Sequence, residues 1–177
     1  QGTLAGKTLV TTVMTNAGLE TAITAAGGQL VRTGVGDKNV IDEMLRHDFN
    51  LGGEQSGHII FRDFSTTGDG LVAALQIMRI MRASRQPLSQ LVRCWTRFPQ
   101  VVTNIVVREK KPFAELDSVT QLAADAEAAV QARGGRLLLR YSGTEPKARL
   151  LMEGPDQAEL DRWSHQIAEA IKRQVGA

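Results

Sequence analysis

The chain has 177 residues, of which 42% are hydrophobic and 23% are charged, and its formal net charge is +2. This composition is typical of an ordinary globular protein with one average domain or two small ones, and no run of about 18 apolar residues is present to cross a membrane. The lysines and arginines are scattered and no signal peptide is visible, so we predict a cytoplasmic protein that binds neither nucleic acid nor membranes.

Strands and helices alternate in the first half of the chain. Short β-rich runs are followed by residues that can cap a helix and then by apolar residues at helical spacing. This alternation predicts an α/β layered fold. The predicted strands are residues 9–13, 29–32 and 58–61; the predicted helices are capped by Asn16 and Asp37, begin near Gly70, and span 88–95; residues 49–57 are a predicted loop.

The helix that begins near Gly70 has two features of note. Asp69 precedes it and is interpreted as a helix cap rather than a metal ligand, because a divalent cation needs several oxygen ligands. The large apolar residues of this helix lie on one side of it, namely Leu71, Leu75, Met78 and Met81.

The pattern changes after Phe98 and Pro99, which mark a predicted boundary between a domain at residues 1–97 and a domain at residues 98–177. The second half has the order β-α-β-β-α. This order predicts an α+β domain with an antiparallel sheet and two helices on one face. The predicted strands are 101–107, 136–141 and 147–154, and the predicted helices are 118–133 and the segment that Pro155 and Asp156 open.

The loop at residues 142–146, Ser-Gly-Thr-Glu-Pro, joins the last two predicted strands, with Arg140 just before it and Arg149 just after it. Hydroxyl groups, backbone N–H groups, a glycine and two guanidinium groups are suited to hold a tetrahedral dianion. The same residue types also build ordinary hairpin turns, so a plain connection is the alternative. The two arginines favour anion binding, with phosphate as the first ligand to test.

A second polar loop at residues 52–58, Gly-Gly-Glu-Gln-Ser-Gly-His, precedes a predicted strand. Glu54 can accept hydrogen bonds from two adjacent hydroxyls, Ser56 can donate or accept one, and His58 is suited to relay a proton near neutral pH. These groups fit a sugar, and a polar connecting loop is the alternative. Lys38, at a predicted helix start beside two glycines, can add a cation to the site.

The two loops resemble the sugar-recognition loop and the phosphate-binding loop of the α-D-phosphohexomutase superfamily. Within it, the chain is most similar to the bacterial phosphoglucosamine mutases. The resemblance covers essentially the whole chain, which is similar to the third and fourth of the four domains of such enzymes. It is carried by residues 35–37, 53–58, 66–70 and 140–154.

The resemblance implies a role for each loop. Glu54 and Ser56 would bind the sugar hydroxyls, and His58 would assist the site. The residues that would hold the non-reacting phosphate are Arg140, Ser142, Gly143, Thr144 and Arg149. Members of the superfamily often have a lysine where Gly34 stands and Arg-Tyr where Lys38 and Asn39 stand, so a contact of residues 34–39 with the ligand stays open.

The resemblance also implies an isomerase activity for a longer protein. Its intramolecular phosphotransfer would interconvert glucosamine 6-phosphate and glucosamine 1-phosphate through a phosphoserine and a bisphosphate, for amino-sugar metabolism and peptidoglycan precursor synthesis. The alternatives are a phosphoglucomutase or phosphomannomutase and a stand-alone phosphosugar-binding module that catalyses nothing.

The catalytic serine in Ser-His-Asn-Pro and the magnesium loop Asp-Gly-Asp-x-Asp of the superfamily do not occur in this sequence, which begins at Gln1. We therefore expect a piece of a longer protein that binds a phosphosugar without turning it over. It would hold no cofactor itself, the parent enzyme would use Mg²⁺, and its partners would be the substrate and the missing N-terminal domains. The sequence leaves open whether the protein is a homodimer.

Overall fold

The computed structural model describes residues 4–177. The chain divides into two compact units, Gln1–Thr96 and Arg97–Ala177. Among the described residues, none of the helices combines the length and the apolar character that crossing a membrane requires.

The first unit alternates strands and helices, as the sequence predicts for an α/β layered fold. Its elements are β1 (Thr8–Thr12), α1 (Ala17–Ala25), β2 (Gln29–Thr33), α2 (Asp37–Arg46), β3 (Leu51–Gly53), β4 (Ile59–Phe61), α3 (Gly70–Ser84) and α4 (Leu88–Leu91). The sheet has the strand order β2-β1-β3-β4. β1 pairs in parallel with β2 and with β3, and β4 pairs antiparallel with β3.

Two side-chain caps set the starts of α1 and α3. The side-chain oxygen of Asn16 accepts a hydrogen bond from the Gly18 N–H at 3.0 Å. Asp69 Oδ1 accepts from the N–H groups of Leu71 and Val72 at 2.8 and 3.0 Å. Each cap satisfies N–H groups that have no partner inside the helix, so the interpretation of Asp69 as a helix cap is confirmed.

The core of the first unit is small and requires a glycine at its centre. It consists of Val10, Val40, Met44 and Ile60. A Cβ atom on Gly52 would lie 2.5 Å from Met44 Sδ and 2.8 Å from Val40 Cγ1. The glycine therefore lets α2 pack directly on the sheet.

Three local predictions for the first unit are wrong. Residues 49–57 are not all loop, because Leu51–Gly53 forms the strand β3 between β1 and β4. Asp37 is the first residue of α2 rather than its cap, and the cap position is Gly36 with φ 121°. The helix predicted at 88–95 ends at Leu91 and continues as a single 3₁₀ turn, Val92–Cys94.

The apolar side of α3 is largely exposed. Leu71, Leu75 and Met78 are all more than half exposed, and Ala73 is the buried residue of this helix. Helical spacing identifies an apolar side, but it does not identify what covers that side.

The second unit has the predicted β-α-β-β-α order. Its elements are β5 (Gln100–Val106), α5 (Asp117–Gln131), β6 (Arg136–Tyr141), β7 (Lys147–Glu153) and α6 (Gln157–Val175). The antiparallel sheet has the order β5-β7-β6, so β7 is its central strand. Side chains of both helices and of the sheet form one core, which includes Ile105, Val119, Val130, Leu150, Met152, Leu160, Ile167 and Ile171.

The central strand has one apolar face, and its other face carries charged side chains at the end next to the loop. Ala148, Leu150 and Met152 belong to the core. Because side chains alternate along a strand, Lys147 and Arg149 project from the opposite face of the sheet.

A buried carboxylate joins the three strands at the end of β7 that lies farthest from the loop at residues 142–146. Glu153 is fully buried, and it is the cross-strand partner of both Gln100 and Arg136. Its Oε2 is 2.6 Å from Arg136 Nε, and its Oε1 accepts from Gln100 Nε2 at 2.9 Å. The sequence pattern did not predict this cluster, because the strand register creates it.

Candidate functional site

The loop at residues 142–146 is closed by its own backbone. The Ser142 N–H donates to the Lys147 carbonyl at 2.8 Å, and the Lys147 N–H donates to the Glu145 carbonyl at 2.8 Å. The Glu145 N–H donates to Ser142 Oγ at 3.3 Å, and Ser142 is buried. Among the described residues, the N–H groups of Gly143 and Thr144 have no acceptor. Two adjacent free N–H groups are the donor pattern that binds an anion.

Gly143 keeps one side of this loop open. Its φ is not positive, so the turn itself does not require a glycine here. A Cβ atom at Gly143 would meet no other atom within 4 Å. A side chain at this position would therefore occupy free space beside the loop, and the glycine leaves that space to an incoming group.

Two arginines lie directly opposite each other at the base of the loop. Arg140 on β6 is the cross-strand partner of Arg149 on β7. Like charges at directly opposite positions destabilise a sheet, and a bound anion removes that cost. In the described part of the chain, the Arg140 side chain is exposed and makes no hydrogen bond or ion pair. Arg149 Nε is buried and has no partner there either.

A carboxylate compensates part of this positive charge. Glu145 Oε2 is 2.6 Å from Arg149 Nη2, and Glu145 Oε1 is 2.6 Å from Lys147 Nζ. The hydrogen bond from Lys147, followed by the one from Arg149, lowers the pKa of Glu145 below its usual value. Two cations contact this carboxylate, and Arg140 adds a third to the loop region, which is therefore positively charged.

Two further residues reach this site from β5 and the segment after it. Asn104 is the cross-strand partner of Arg149, on the side of β7 opposite to Arg140. Lys110 Nζ donates a hydrogen bond to the Ser142 carbonyl at 2.6 Å. Sequence reasoning missed both, because more than thirty residues separate them from the loop. The only signal in the sequence was the pair of lysines after β5, Lys110 and Lys111.

The loop at residues 54–58 is a tight turn between β3 and β4. The Glu54 N–H donates to the His58 carbonyl at 3.0 Å, and the Gly57 N–H donates to the Glu54 carbonyl at 3.1 Å. Gly57 has φ 100°, a value that favours glycine. The turn brings together three of the predicted side chains, Glu54, Ser56 and His58.

These three side chains meet at one ring nitrogen. His58 Nδ1 is 3.0 Å from Ser56 Oγ and 3.3 Å from Glu54 Oε1. The Glu54 side chain is mostly buried, whereas the His58 side chain is about half exposed. The contacts orient the imidazole through Nδ1 and leave Nε2 without a partner among the described residues. That nitrogen is available to a ligand hydroxyl.

Neighbouring segments hold this turn in place. Thr12, the last residue of β1, donates from Oγ1 to Gln55 Oε1 at 3.2 Å. A Cβ atom on Gly68 would lie 3.1 Å from His58 Cβ, so the segment before α3 packs closely on the imidazole. The turn thus lies at the carboxyl ends of the parallel strands β1 and β3, which is where open α/β sheets bind ligands.

Lys38 is placed differently from the other predicted residues. Its ammonium group is exposed and pairs with Asp42 of the same helix at 2.6 Å. The hydrogen bond to Asp42 raises the pKa of Lys38 above its usual value. The pair occupies one of the three donors of the ammonium group, so a ligand contact by Lys38 remains a prediction.

No metal site is evident in residues 4–177, where no group of three or more His, Cys, Asp or Glu side chains could hold an ion.

Sequence comparison identifies both halves of the chain. The family described as phosphoglucomutase/phosphomannomutase, alpha/beta/alpha domain III, matches residues 1–98, and the phosphoglucomutase/phosphomannomutase C-terminal domain matches residues 102–170. The phosphoglucosamine mutase of Anaeromyxobacter sp. (strain Fw109-5) is 46% identical over 176 residues, which are 99% of this chain and 37% of that protein. The phosphoglucosamine mutase of Syntrophotalea carbinolica is 48% identical over 178 residues, 99% of this chain and 38% of that protein. The chain thus spans less than two fifths of the length of these relatives.

Solved structures share the fold at low sequence identity. An N-acetylphosphoglucosamine mutase of Aspergillus fumigatus matches with a TM-score of 0.71 and 21% identity, over 96% of this chain and 39% of its own. A phosphoglucomutase/phosphomannomutase family protein of Burkholderia thailandensis matches with a TM-score of 0.66 and 22% identity, over 97% of this chain and 40% of its own. On the evidence of the two family matches, the chain belongs to the phosphoglucomutase/phosphomannomutase family, of which it spans domain III and the C-terminal domain.

Proposed function

We propose that the chain is the sugar- and phosphate-binding part of a longer phosphosugar mutase that interconverts glucosamine 6-phosphate and glucosamine 1-phosphate. One structural observation carries the binding role: the loop between β6 and β7 has two N–H groups, of Gly143 and Thr144, without an acceptor among the described residues, and the two strands that it joins carry a pair of directly opposed arginines. The choice of amino sugar is supported by relatives named phosphoglucosamine mutase, which are 44–48% identical over nearly the whole chain.

Each predicted residue has a role in this proposal. In the first domain, at residues 1–97, Glu54 and Ser56 bind sugar hydroxyls, His58 assists through its Nε2, and Lys38 adds a cation. In the second domain, at residues 98–177, one loop holds the phosphate that does not react. The residues proposed for that loop are Arg140, Ser142, Gly143, Thr144 and Arg149.

The reaction makes a specific demand on the phosphate loop. The phosphate that is held but not transferred sits on carbon 6 in one half-reaction and on carbon 1 in the other. Backbone N–H groups and guanidinium groups meet this demand, because they bind a phosphate by charge and donor geometry and do not read the sugar to which it is attached. Each charge-assisted hydrogen bond contributes about 1.5 to 3 kcal/mol.

The bond-breaking chemistry is assigned to the rest of the longer protein. A serine nucleophile and Mg²⁺ would supply phosphoryl transfer there, and a structure of the A. fumigatus relative is described in complex with GlcNAc-6P and magnesium. The described residues of this chain provide no ligand set for that ion. We therefore propose that the isolated chain binds the phosphosugar, has no mutase activity, and acts together with the N-terminal domains in the cytoplasm.

Binding to the isolated chain is tested by NMR titration of its backbone amides. Inorganic phosphate and glucosamine 6-phosphate should both shift the Gly143 and Thr144 amide signals, and glucosamine alone should not. If phosphate leaves these two amides unshifted up to its solubility limit, the proposed phosphate loop is wrong.

A phosphoglucomutase or phosphomannomutase is the second candidate, because the matching family carries those names. The longer protein should be assayed with glucosamine 6-phosphate, glucose 6-phosphate and mannose 6-phosphate under identical conditions. Preference for glucosamine 6-phosphate supports our choice, and a strong preference for glucose or mannose phosphate overturns it. Absence of any upstream catalytic serine would instead indicate a stand-alone binding module.

A further inference from the structure

The segment that follows β5 is joined to the phosphate loop by two hydrogen bonds. The Val107 N–H donates to the Pro146 carbonyl at 2.9 Å, at one end of the loop. Lys110 Nζ donates to the Ser142 carbonyl at 2.6 Å, at the other end. The second contact joins residues that are 32 positions apart in sequence, so it exists only in the folded protein.

The Lys110 contact controls the direction of a backbone donor. The Ser142 carbonyl and the Gly143 N–H belong to the same peptide group, and no described peptide bond is cis. In a planar trans peptide, the C=O and N–H bonds point in opposite directions. A carbonyl held by Lys110 therefore keeps the Gly143 N–H directed away from Lys110. Glycine permits more backbone rotation than any other residue, so this peptide would otherwise turn easily.

The charge of Lys110 also remains uncompensated. Lys111, its neighbour in sequence, lies 3.4 Å from the carboxylate of Glu109. For Lys110, no carboxylate lies within ion-pair distance in the described part of the chain, and its contact there is with the neutral Ser142 carbonyl. An ammonium group has three donors, so Lys110 retains both charge and hydrogen-bonding capacity beside the loop.

From these contacts we infer that Lys110 is a positioning residue of the phosphate loop, which orients the Gly143 N–H and adds positive charge on the opposite side of that peptide group. This inference rests on the proposed phosphate binding. It adds a residue from the segment after β5 to a site that is otherwise formed by β5, β6, β7 and the loop between β6 and β7.

The test uses three variants at one position and a matched control. Lys110→Met removes the donor and the charge, Lys110→Gln keeps a donor without the charge, and Lys110→Arg keeps both. Lys111→Met removes the same charge one residue away. The probe is inorganic phosphate, titrated by calorimetry at several KCl concentrations, and the Gly143 amide signal is recorded without ligand.

We expect Lys110→Met to weaken phosphate binding by about tenfold or more and to shift the ligand-free Gly143 amide signal. Lys111→Met should change affinity by less than about twofold, because an exposed ion pair contributes little. Lys110→Arg should restore most of the affinity. Lys110→Gln should keep the amide signal near its original position while the affinity and its salt dependence both fall, which separates orientation from charge.

Two results overturn the inference. One is equal phosphate affinity in Lys110→Met and Lys111→Met; the other is a Gly143 amide signal that does not move in Lys110→Met. Should Lys110→Met fail to fold, the Lys110→Gln and Lys110→Arg variants still decide the question. Arg140→Ala provides the reference: if it weakens binding and the Lys110 variants do not, only this inference fails, whereas if neither weakens binding, the phosphate loop itself is wrong.

Discussion

Replacing Arg140 with alanine should weaken phosphate binding and at the same time leave the second unit slightly more stable. Arg140 lies directly opposite Arg149, and among the described residues its guanidinium group makes no hydrogen bond or ion pair. Polar contacts of this side chain with the described residues therefore do not stabilise the unliganded fold. The residue directly opposite it on the adjacent strand is another cation.

The two effects can be estimated separately. Loss of one charge-assisted hydrogen bond to phosphate costs about 1.5 to 3 kcal/mol, which corresponds to about a 10- to 150-fold weaker affinity. Because Arg140 is exposed, we expect the lower part of that range. Removing one of two like charges at opposite positions should raise the free energy of unfolding by about 0.2 to 1 kcal/mol.

Calorimetric titration with inorganic phosphate and urea unfolding measure the two quantities on the same samples. Arg173→Ala on α6 is the matched control, because it removes the same charge from an exposed position that lies on a helix instead of beside the loop. It should leave phosphate affinity within about twofold of the unmodified chain.

Either of two outcomes would refute this reasoning. Unchanged phosphate affinity in Arg140→Ala would show that the loop does not use this guanidinium group. A lower free energy of unfolding in Arg140→Ala than in Arg173→Ala would show that Arg140 stabilises the sheet, so a loss of affinity could then come from damage to the fold.

Three further predictions concern single contacts. The pKa of Glu145 is lowered in the folded state, so its carboxylate stabilises the fold above the unfolded-state pKa and ceases to do so as pH falls through the folded-state pKa. The unmodified chain should therefore melt at a higher temperature than Glu145→Gln at neutral pH, and this difference should shrink below about pH 4.5. A difference that is equal at neutral and acid pH contradicts this reasoning. Gly52→Ala should lower the free energy of unfolding of the first unit by about 1 to 3 kcal/mol, because the new Cβ atom would clash with Met44. Gly70→Ala is the control, because a Cβ atom there meets free space and the change should be neutral or stabilising. Equal urea midpoints of the two variants would show that the core accommodates the new Cβ atom without loss of stability. Asp69→Ala should cost about 0.5 to 2 kcal/mol by urea unfolding, because α3 loses its cap, and an unchanged midpoint would show that the cap is dispensable.

The sequence was most informative where the relevant residues are close together in the chain. Glu54, Ser56 and His58 span five positions, and a tight turn brings such residues together without help from the rest of the fold. The same holds for the loop that begins at Ser142. Its hydroxyl, glycine and flanking cations are local, so the residue types alone indicate the chemistry of the loop.

Contacts between distant segments could not be predicted in this way. Lys110 reaches the phosphate loop, and Glu153 joins three strands, only because β5, β7 and β6 pair in one particular register. A shift of one residue would turn every side chain of a strand to the other face of the sheet. The order of residues along the chain does not specify that register, so neither residue could be placed.

Which side chains are buried could not be predicted from the sequence either, for a related reason. Leu71, Leu75 and Met78 have the spacing of a buried helix face, yet they are exposed in the first unit. Conversely, Gly52 gives no apolar signal and lies in a strand at the centre of the core. Whether a surface is covered depends on what packs against it, and that is decided by segments far away in the chain.

The sequence by itself determined most of the order of helices and strands, although not β3, and it determined two of the helix caps and the residue types of both loops, because these depend on neighbouring residues and backbone preferences. The tertiary structure alone decided that Arg140 opposes Arg149, that Lys110 holds the Ser142 carbonyl, and that the Gly143 N–H is left free among the described residues. These features depend on strand register and on the direction of single peptide groups, which are fixed only when distant parts of the chain pack together.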